Sequence, residues 1–364
     1  MIRYLTAGES HGQCLAGILE GMPAGLHLSE ADIAADLRRR QLGYGRGERM
    51  QIEADHAQIL SGVRYGQTIG SPIALQIENK DWPNWQARMQ IDSPADHERT
   101  EPLTTPRPGH ADYAGTMKYR QRDIRNVIER SSARETAMRV ALGAICRKFF
   151  AEFGITVASY VVQIGSAKAS VKYNEVDSLE INPLADASPA RCLDKKAEAA
   201  MKEAIDEAKT RNDTIGGVFE VIVLGVPMGL GSYVQADRRL DGILGQAMLS
   251  IPAVKSVEIG MGTEAAARFG SEVHDELFPD NKGGIERRTN HAGGIEGGIS
   301  TGQPIVLRAA MKPLATLSRP LNTVNLATGT VETALRERSD VCAVPAAAVV
   351  GEAAMMLALM NPFF

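Results

Sequence analysis

Ser132-Ala133-Arg134-Glu135-Thr136-Ala137-Met138-Arg139, continuing to Gly154, runs straight into Thr156-Val157-Ala158-Ser159-Tyr160-Val161-Val162-Gln163-Ile164. The two pieces read as one helix and then one strand. Ser132 and Glu135 stand at capping-box spacing, Met138, Leu142, Ile145 and Phe149 recur with helical period, and Gly154 stops the helix. The strand is rich in β-branched residues, and two further runs share its character, Val218 to Leu224 and Ile305 to Met311. A second helix is expected from the Ser29-Glu30-Ala31-Asp32 cap, burying Ile33 and Leu37 and ending near Gly43. Pro345 suits the first turn of a C-terminal helix. Helices and strands mix without a regular βαβ rhythm, so the pattern favours an α+β fold over a doubly wound sheet.

A chain of 364 residues, 44% hydrophobic and 23% charged, can bury a large core and is unlike a disordered one. Its net charge of −4 gives no global positive field, which argues against a nucleic-acid partner. Cys14, Cys146, Cys192 and Cys342 lie far apart with no C-x-x-C pair, as expected of reduced thiols rather than a disulfide frame or a zinc site. The first eleven residues meet Gly8 and Glu9 before an apolar run can form, unlike a signal peptide. Val344 to Met360 is apolar, but Pro345, Gly351 and Glu352 interrupt it and it is short for a bilayer. A soluble cytoplasmic protein without a membrane partner is expected. No repeat or linker divides the chain, so residues 1–364 read as a single domain. Lys168 to Asn212 is polar, and Leu193, Ala197, Met201 and Ile205 recur every fourth residue there, as in a peripheral excursion carrying one amphipathic helix.

The basic residues are unevenly spread. Arg38, Arg39, Arg40, Arg46 and Arg49 surround Gly43-Tyr44-Gly45-Arg46-Gly47, where glycine admits a ligand to the backbone and guanidinium forks match phosphate or carboxylate oxygens. A solvated helix face would explain the run too, but five arginines with no lysine favour a site for a dianionic small molecule. A second group, Arg120, Arg122, Arg125, Arg130, Arg134 and Arg139, includes Arg130-Ser131-Ser132, read as a helix start whose N–H groups and hydroxyls could hold an anion. His11 in Gly8-Glu9-Ser10-His11-Gly12 and His110 in Arg107-Pro108-Gly109-His110-Ala111-Asp112 lie in glycine-flanked turns, where an imidazole can reach a ligand. Gly8 to Gly12 also fits the G-x-S-x-G elbow of a serine hydrolase, although it starts at residue 8 rather than deep in a parallel sheet. A phosphate- or RNA-binding module would explain the arginines, but aromatics are only 5%. No carboxylate cluster suggests a catalytic metal.

Taken jointly, these segments resemble chorismate synthase. The resemblance rests on Gly8 to Gly12, Arg38 to Met50, Arg107 to Asp112, Arg130 to Glu135, Asn290 to Gly298, Lys312-Pro313 and Arg338-Ser339-Asp340, in the family's order along nearly the whole chain. It implies a β-α-β sandwich of antiparallel sheets packed around helices, and a homotetramer. The implied reaction converts 5-enolpyruvylshikimate 3-phosphate to chorismate and phosphate by anti-1,4-elimination. Reduced FMN is required without net redox change, and is supplied by an external flavin reductase or by the protein's own use of NADPH. It implies His110 as the acid for the departing phosphate, His11 at the reduced flavin near N1, and Asp340 assisting proton removal at N5. Substrate phosphate and carboxylates are expected near Arg40, Arg46, Arg49, Arg107 and Arg134. Arg40 and Arg46 also fall on positions implied for a dinucleotide phosphate. FMN contacts are implied at Arg130, Ser131, Ser132, Pro252, Ala253, Gly297, Lys312, Pro313, Leu314, Ala315, Thr316 and Arg338. The chain departs from the family at Pro252, where asparagine is usual and proline supplies no N–H, and at Leu314 and Ala315, which lack hydroxyls.

Overall fold

The apolar periods of the sequence become two layers of strands with helices between them. The computed structural model describes residues 1–47, 54–93, 100–281, 283–337 and 339–364. β1 (Arg3–Ala7), β2 (Cys14–Glu20), β3 (Ala57–Ile59) and β4 (Ile73–Glu78) form one sheet in the order β1-β2-β4-β3. β5 (Thr156–Ile164), β6 (Gly217–Leu224), β7 (Val254–Ile259) and β8 (Ile305–Met311) form the other in the order β7-β8-β6-β5, with short Ala167–Lys168 on the β5 edge. Every pairing in both sheets is antiparallel. All three β-branched runs of the sequence are thus strands of the second sheet.

The helices include α1 (Glu30–Gln41), α2 (Asp112–Tyr119), α3 (Arg125–Ser131), α4 (Thr136–Ala151), α5 (Lys195–Thr210), α6 (Leu240–Leu249) and α7 (Val344–Phe363). α4 packs on β2 and β4 with one side and on α7 with the other, and α7 covers β5 and β6. Helices with a neighbour on each side must be apolar nearly all round. α4 accordingly buries Met138, Leu142, Ile145 and Phe149 together with Ala137, Ala141 and Phe150. α7 is long and apolar enough to cross a membrane, but 89% of its apolar window is buried inside the protein. The two helices meet closely at Gly143, where a Cβ would stand 2.5 Å from that of Ala353. The α+β sandwich of antiparallel sheets around helices is the architecture expected. α5 turns Ala197, Met201 and Ile205 inward, and Asp194 caps its N-terminus.

One local expectation needs correction. Ser132 caps only a 3-10 turn, Ala133–Glu135, before α4 begins. Glu135 bonds forward to Arg139 one turn on instead of back to the Ser132 backbone, because a guanidinium at i+4 is the stronger partner. Arg130 and Ser131 therefore sit in the last turn of α3, not at a helix start, and the Ser131 hydroxyl donates to the Val127 carbonyl.

A buried ion cluster ties the layers together. Glu352, on α7 and only 2% exposed, accepts from Arg39 of α1 at 2.7 and 2.8 Å, from Arg147 of α4, and from the Ser159 hydroxyl of β5 at 2.5 Å. Arg191 lies 3.6 Å away. Burial alone would push the Glu352 carboxyl up, but Arg39, Arg147 and Arg191 outweigh it and hold it down at about 2. A carboxyl lowered on folding contributes stability at neutral pH that is lost as pH falls from its ordinary 4.5 towards 2. Glu352→Gln, which leaves buried Arg191 and partly buried Arg39 and Arg147 without their shared charge, should destabilise the fold by about 3–5 kcal/mol. It should also flatten the acid limb of stability between those pH values. Urea unfolding across pH 2–7 measures both.

Candidate active site

β1 and β2 are joined by a turn that carries Ser10 and His11. Gly8 has φ +103, and a Cβ there would lie 2.3 Å from the Cys14 carbonyl oxygen, so only glycine fits. The turn is a strand–turn–strand hairpin rather than the strand–turn–helix of a hydrolase elbow. Ser10 is 3% exposed, with its hydroxyl accepting from Ser132 Oγ at 3.1 Å. The hydrolase reading therefore loses its nucleophile. Asn79 holds the turn from below: its Nδ2 donates to the carbonyls of Glu9 and Gly12, and its Oδ1 accepts two bonds from buried Arg134.

Each candidate histidine is paired with a buried carboxylate. His11 Nδ1 is 3.0 Å from Glu129, which also accepts from the His11 backbone N–H at 2.8 Å, and the imidazole stacks on Trp85 with centroids 3.8 Å apart. His110 Nδ1 is 2.5 Å from Oδ1 of Asp112, whose side chain is fully buried. A carboxylate can only accept, so both Nδ1 atoms carry hydrogen and both rings are oriented through that atom. Burial would raise the Glu129 and Asp112 carboxyls. The bonds from His11 to the one, and from His110 and Arg107 to the other, outweigh it and leave both below the usual carboxylate range. Arg107 spans the second turn, donating to Asp112 at 2.9 Å and to Thr316 at 2.7 Å.

The first arginine run divides by helix face. Adjacent residues on α1 point about 100° apart. Arg38 is exposed, Arg39 turns to Glu352, and Arg40 continues the buried face of Ile33 and Leu37. Arg40 donates to the Thr136 hydroxyl and the Ala133 carbonyl and lies 3.6 Å from Asp55. Burial pushes its guanidinium down to about 10; Arg46 and Arg134 add to the push and Asp55 opposes it, so it stays charged at neutral pH. Arg134 donates to Asp55 at 2.6 Å, and Arg46 pairs with Asp340 at 2.9 Å. Asp340 also accepts from Gly47 N–H at 2.7 Å. Among the described residues, Arg46 Nε is buried without a hydrogen-bond acceptor. Arg40, Arg46 and Arg134 thus gather, among the described residues, around Asp55 and Asp340, guanidiniums of the kind that bind anions. Arg49 lies outside the described residues.

The residues expected to meet a flavin fall into two groups. Arg130, Ser131 and Pro252 line one cleft of about 280 Å³ with Thr6, Glu135 and Arg139. Arg130 donates to the Gly8 and Thr6 carbonyls and the Thr6 hydroxyl, all neutral oxygens, so its positive charge is not cancelled there. Ala253 follows at φ +68, and its carbonyl accepts from Lys312 N–H. Lys312 Nζ donates to the Gly109 carbonyl at 2.8 Å, which joins the Lys312–Thr316 stretch to the His110 turn. Burial and the charge of Lys255 lower the Lys312 ammonium from its ordinary value. The Leu314 carbonyl accepts from the Thr214 hydroxyl at 2.7 Å, so that oxygen is already engaged. Gly297, at φ +59 in the hairpin between Ile295–Glu296 and Ile299–Ser300, has open space where a Cβ would stand, and its carbonyl accepts from Arg239 at 3.2 Å. Arg338 lies outside the described residues.

Glu129, Trp85, Glu337, Asp55 and Asn79 complete the site together with Arg125 of the second basic group, and nothing in the local sequence of the first five marks them. Asn79→Ala would orphan two carbonyls and weaken the seating of Arg134. It should destabilise the protein by about 2–4 kcal/mol, read by urea unfolding, and lower activity through the His11 turn.

A family model described as chorismate synthase matches residues 2–364. The chorismate synthase of Syntrophotalea carbinolica is 56% identical over 358 residues, covering 98% of this chain and 91% of the relative. Those of Bacillus cytotoxicus and Geobacter metallireducens are 55% and 54% identical, with 97% and 100% of this chain covered and 91% and 93% of theirs. A crystal structure of chorismate synthase superposes with a TM-score of 0.78 at 45% identity, over 99% of this chain and 91% of that one. With the family model spanning residues 2–364 and relatives more than half identical over nearly the whole chain, the chain belongs to the chorismate synthase family.

Proposed function

We propose that the paired histidines and the arginine cluster carry out the family's reaction. Phosphate leaves 5-enolpyruvylshikimate 3-phosphate by anti-1,4-elimination to give chorismate, a carbon–oxygen lyase step of the shikimate pathway of aromatic amino-acid biosynthesis. The observation that carries the reading is the convergence of two imidazole–carboxylate pairs with Arg40, Arg46, Arg107 and Arg134 around glycine-lined turns. The substrate brings one phosphate and two carboxylates, and guanidinium forks bind such oxygens bidentately. His110, oriented through Nδ1 by Asp112, is the acid that protonates the departing phosphate. His11, oriented by Glu129, exchanges a proton on the cofactor side. Asp340, fixed by Gly47 and Arg46, assists removal of the proton that the elimination releases.

The family uses reduced FMN, which when bound supplies electron density that helps the C–O bond break. Support for a phosphate-bearing group in the cleft comes from Arg130, which among the described residues bonds neutral oxygens, and from Thr6, Ser131 and Pro252, which line it with Arg139 and Glu135. Arg130, Ser131, Ser132, Pro252, Ala253 and Lys312 to Thr316 would hold it, with Gly297 admitting close approach. An external flavin reductase is the proposed electron source, and NADPH bound near Arg40 and Arg46 the alternative. A single domain with residues 168–212 at its periphery, acting as a cytoplasmic homotetramer, belongs to the same reading. One apolar cluster running from Ile2 to Met360 and four free thiols support it.

The test is anaerobic, with substrate and either oxidised or chemically reduced FMN, following chorismate and phosphate together. Product only with reduced FMN is expected; none with either, from folded protein, would overturn the reading. His110→Ala should lower turnover by about two to four orders of magnitude while FMN still binds. Arg46→Ala should raise KM roughly tenfold to a hundredfold, as loss of a charged hydrogen bond does. Steady-state kinetics and flavin titration report both.

A further inference from the structure

We propose that Glu337 is a positioning residue that couples the two histidines, an inference that rests on their acid–base roles above. Its carboxylate serves two arginines, one oxygen each. Oε1 is 2.6 Å from Arg125 Nη1, and Oε2 is 3.6 Å from Arg107 Nη1. Arg125 in turn bonds Glu129 at 3.2 Å and lies over the Trp85 ring at 5.4 Å, on the indole that stacks against His11. Arg107 bonds Asp112, the partner of His110. The result is one chain of alternating charge: His11, Glu129, Arg125, Glu337, Arg107, Asp112, His110. Glu337 is its middle link and the one carboxylate in it that touches neither imidazole.

Three carboxylates and two guanidiniums give this chain one negative charge in excess, shared between the histidines at its ends. Among the described residues, neighbouring charges include Arg88, over Trp85 at 5.5 Å, Asp123, which accepts from the Arg125 backbone, and Lys312 at the Gly109 carbonyl. A proton gained or lost at one end therefore changes the field at the other through groups held in place by Glu337. Glutamine has the same shape but a single acceptor oxygen, and its amide would turn N–H towards an arginine N–H. Glu337→Gln must release one arm of the chain, and the shorter Glu337→Asp reaches only one of them.

Double-mutant cycles of Glu337→Gln with His11→Ala and with His110→Ala test the proposal. Glu337→Gln alone should lower kcat by about tenfold, as misplacement of a catalytic group does, and by less than about threefold once either histidine is gone. Glu337→Asp substitutes if the glutamine variant fails to fold. An undiminished effect in both histidine backgrounds, or no loss of kcat in the folded single variant, would overturn it. Unchanged turnover in the two histidine variants would overturn the acid–base reading, and this proposal with it. A second readout needs no turnover. With Trp82→Phe, Trp85 is the sole indole, and its emission followed against pH reports the stacked His11. Glu337→Gln should move that transition by about half a pH unit; superimposable curves would count against the coupling.

Discussion

The carboxylate of Glu352 is the point on which both halves of the molecule close. It stands in the middle of an apolar helix, between two sheets, and it is tolerable there only because three guanidiniums and a hydroxyl from other elements reach it. Those elements are α1, α4, β5 and the segment that carries Arg191. The consequence reaches the active site, because Arg39 and Arg40 are neighbours on α1. With Arg39 turned to Glu352, Arg40 faces Thr136 and Asp55, where it joins Arg46 and Arg134. A buried ion pair thus orients the charged cluster that the chemistry needs.

The site itself follows one scheme repeated. A histidine in a glycine-flanked turn is locked through Nδ1 by a buried carboxylate, which is kept ionised chiefly by its bond to that histidine and then by an arginine beside it. Glu129 and Arg125 do this for His11; Asp112 and Arg107 do it for His110. Low local dielectric strengthens these bonds and makes each member costly to lose. The rings therefore have fixed tautomers before any ligand arrives, which suits groups that must pass protons at set atoms.

What could be read in the residues alone was whatever has a local cause. β-branched runs became strands at or within a residue of the expected bounds, and helical periodicity located α1, α4 and α5. The period of Ile33, Leu37 and Arg40 would also have singled out Arg40 from its two neighbours. Partners brought together only by folding were not legible. Glu129 is 118 residues from His11, and Glu337 is 212 from Arg125. Glu352 read simply as a break in an apolar stretch. The Ser132 box misled because Arg139, four residues beyond Glu135, competes for the same carboxylate.

The position of α7 between the sheets carries a consequence for biosynthesis. Every strand of both sheets, and α4 itself, leaves the ribosome before residues 344–363 do. Until then the parts of β5, β6 and α4 that α7 covers are open. The nascent chain must hold two finished but open layers, with apolar surface facing water, and wait for its interior to be delivered last. Such a chain is exposed to aggregation between the completion of β8 at Met311 and the arrival of α7, and chaperones that shield apolar surface would matter most in that interval.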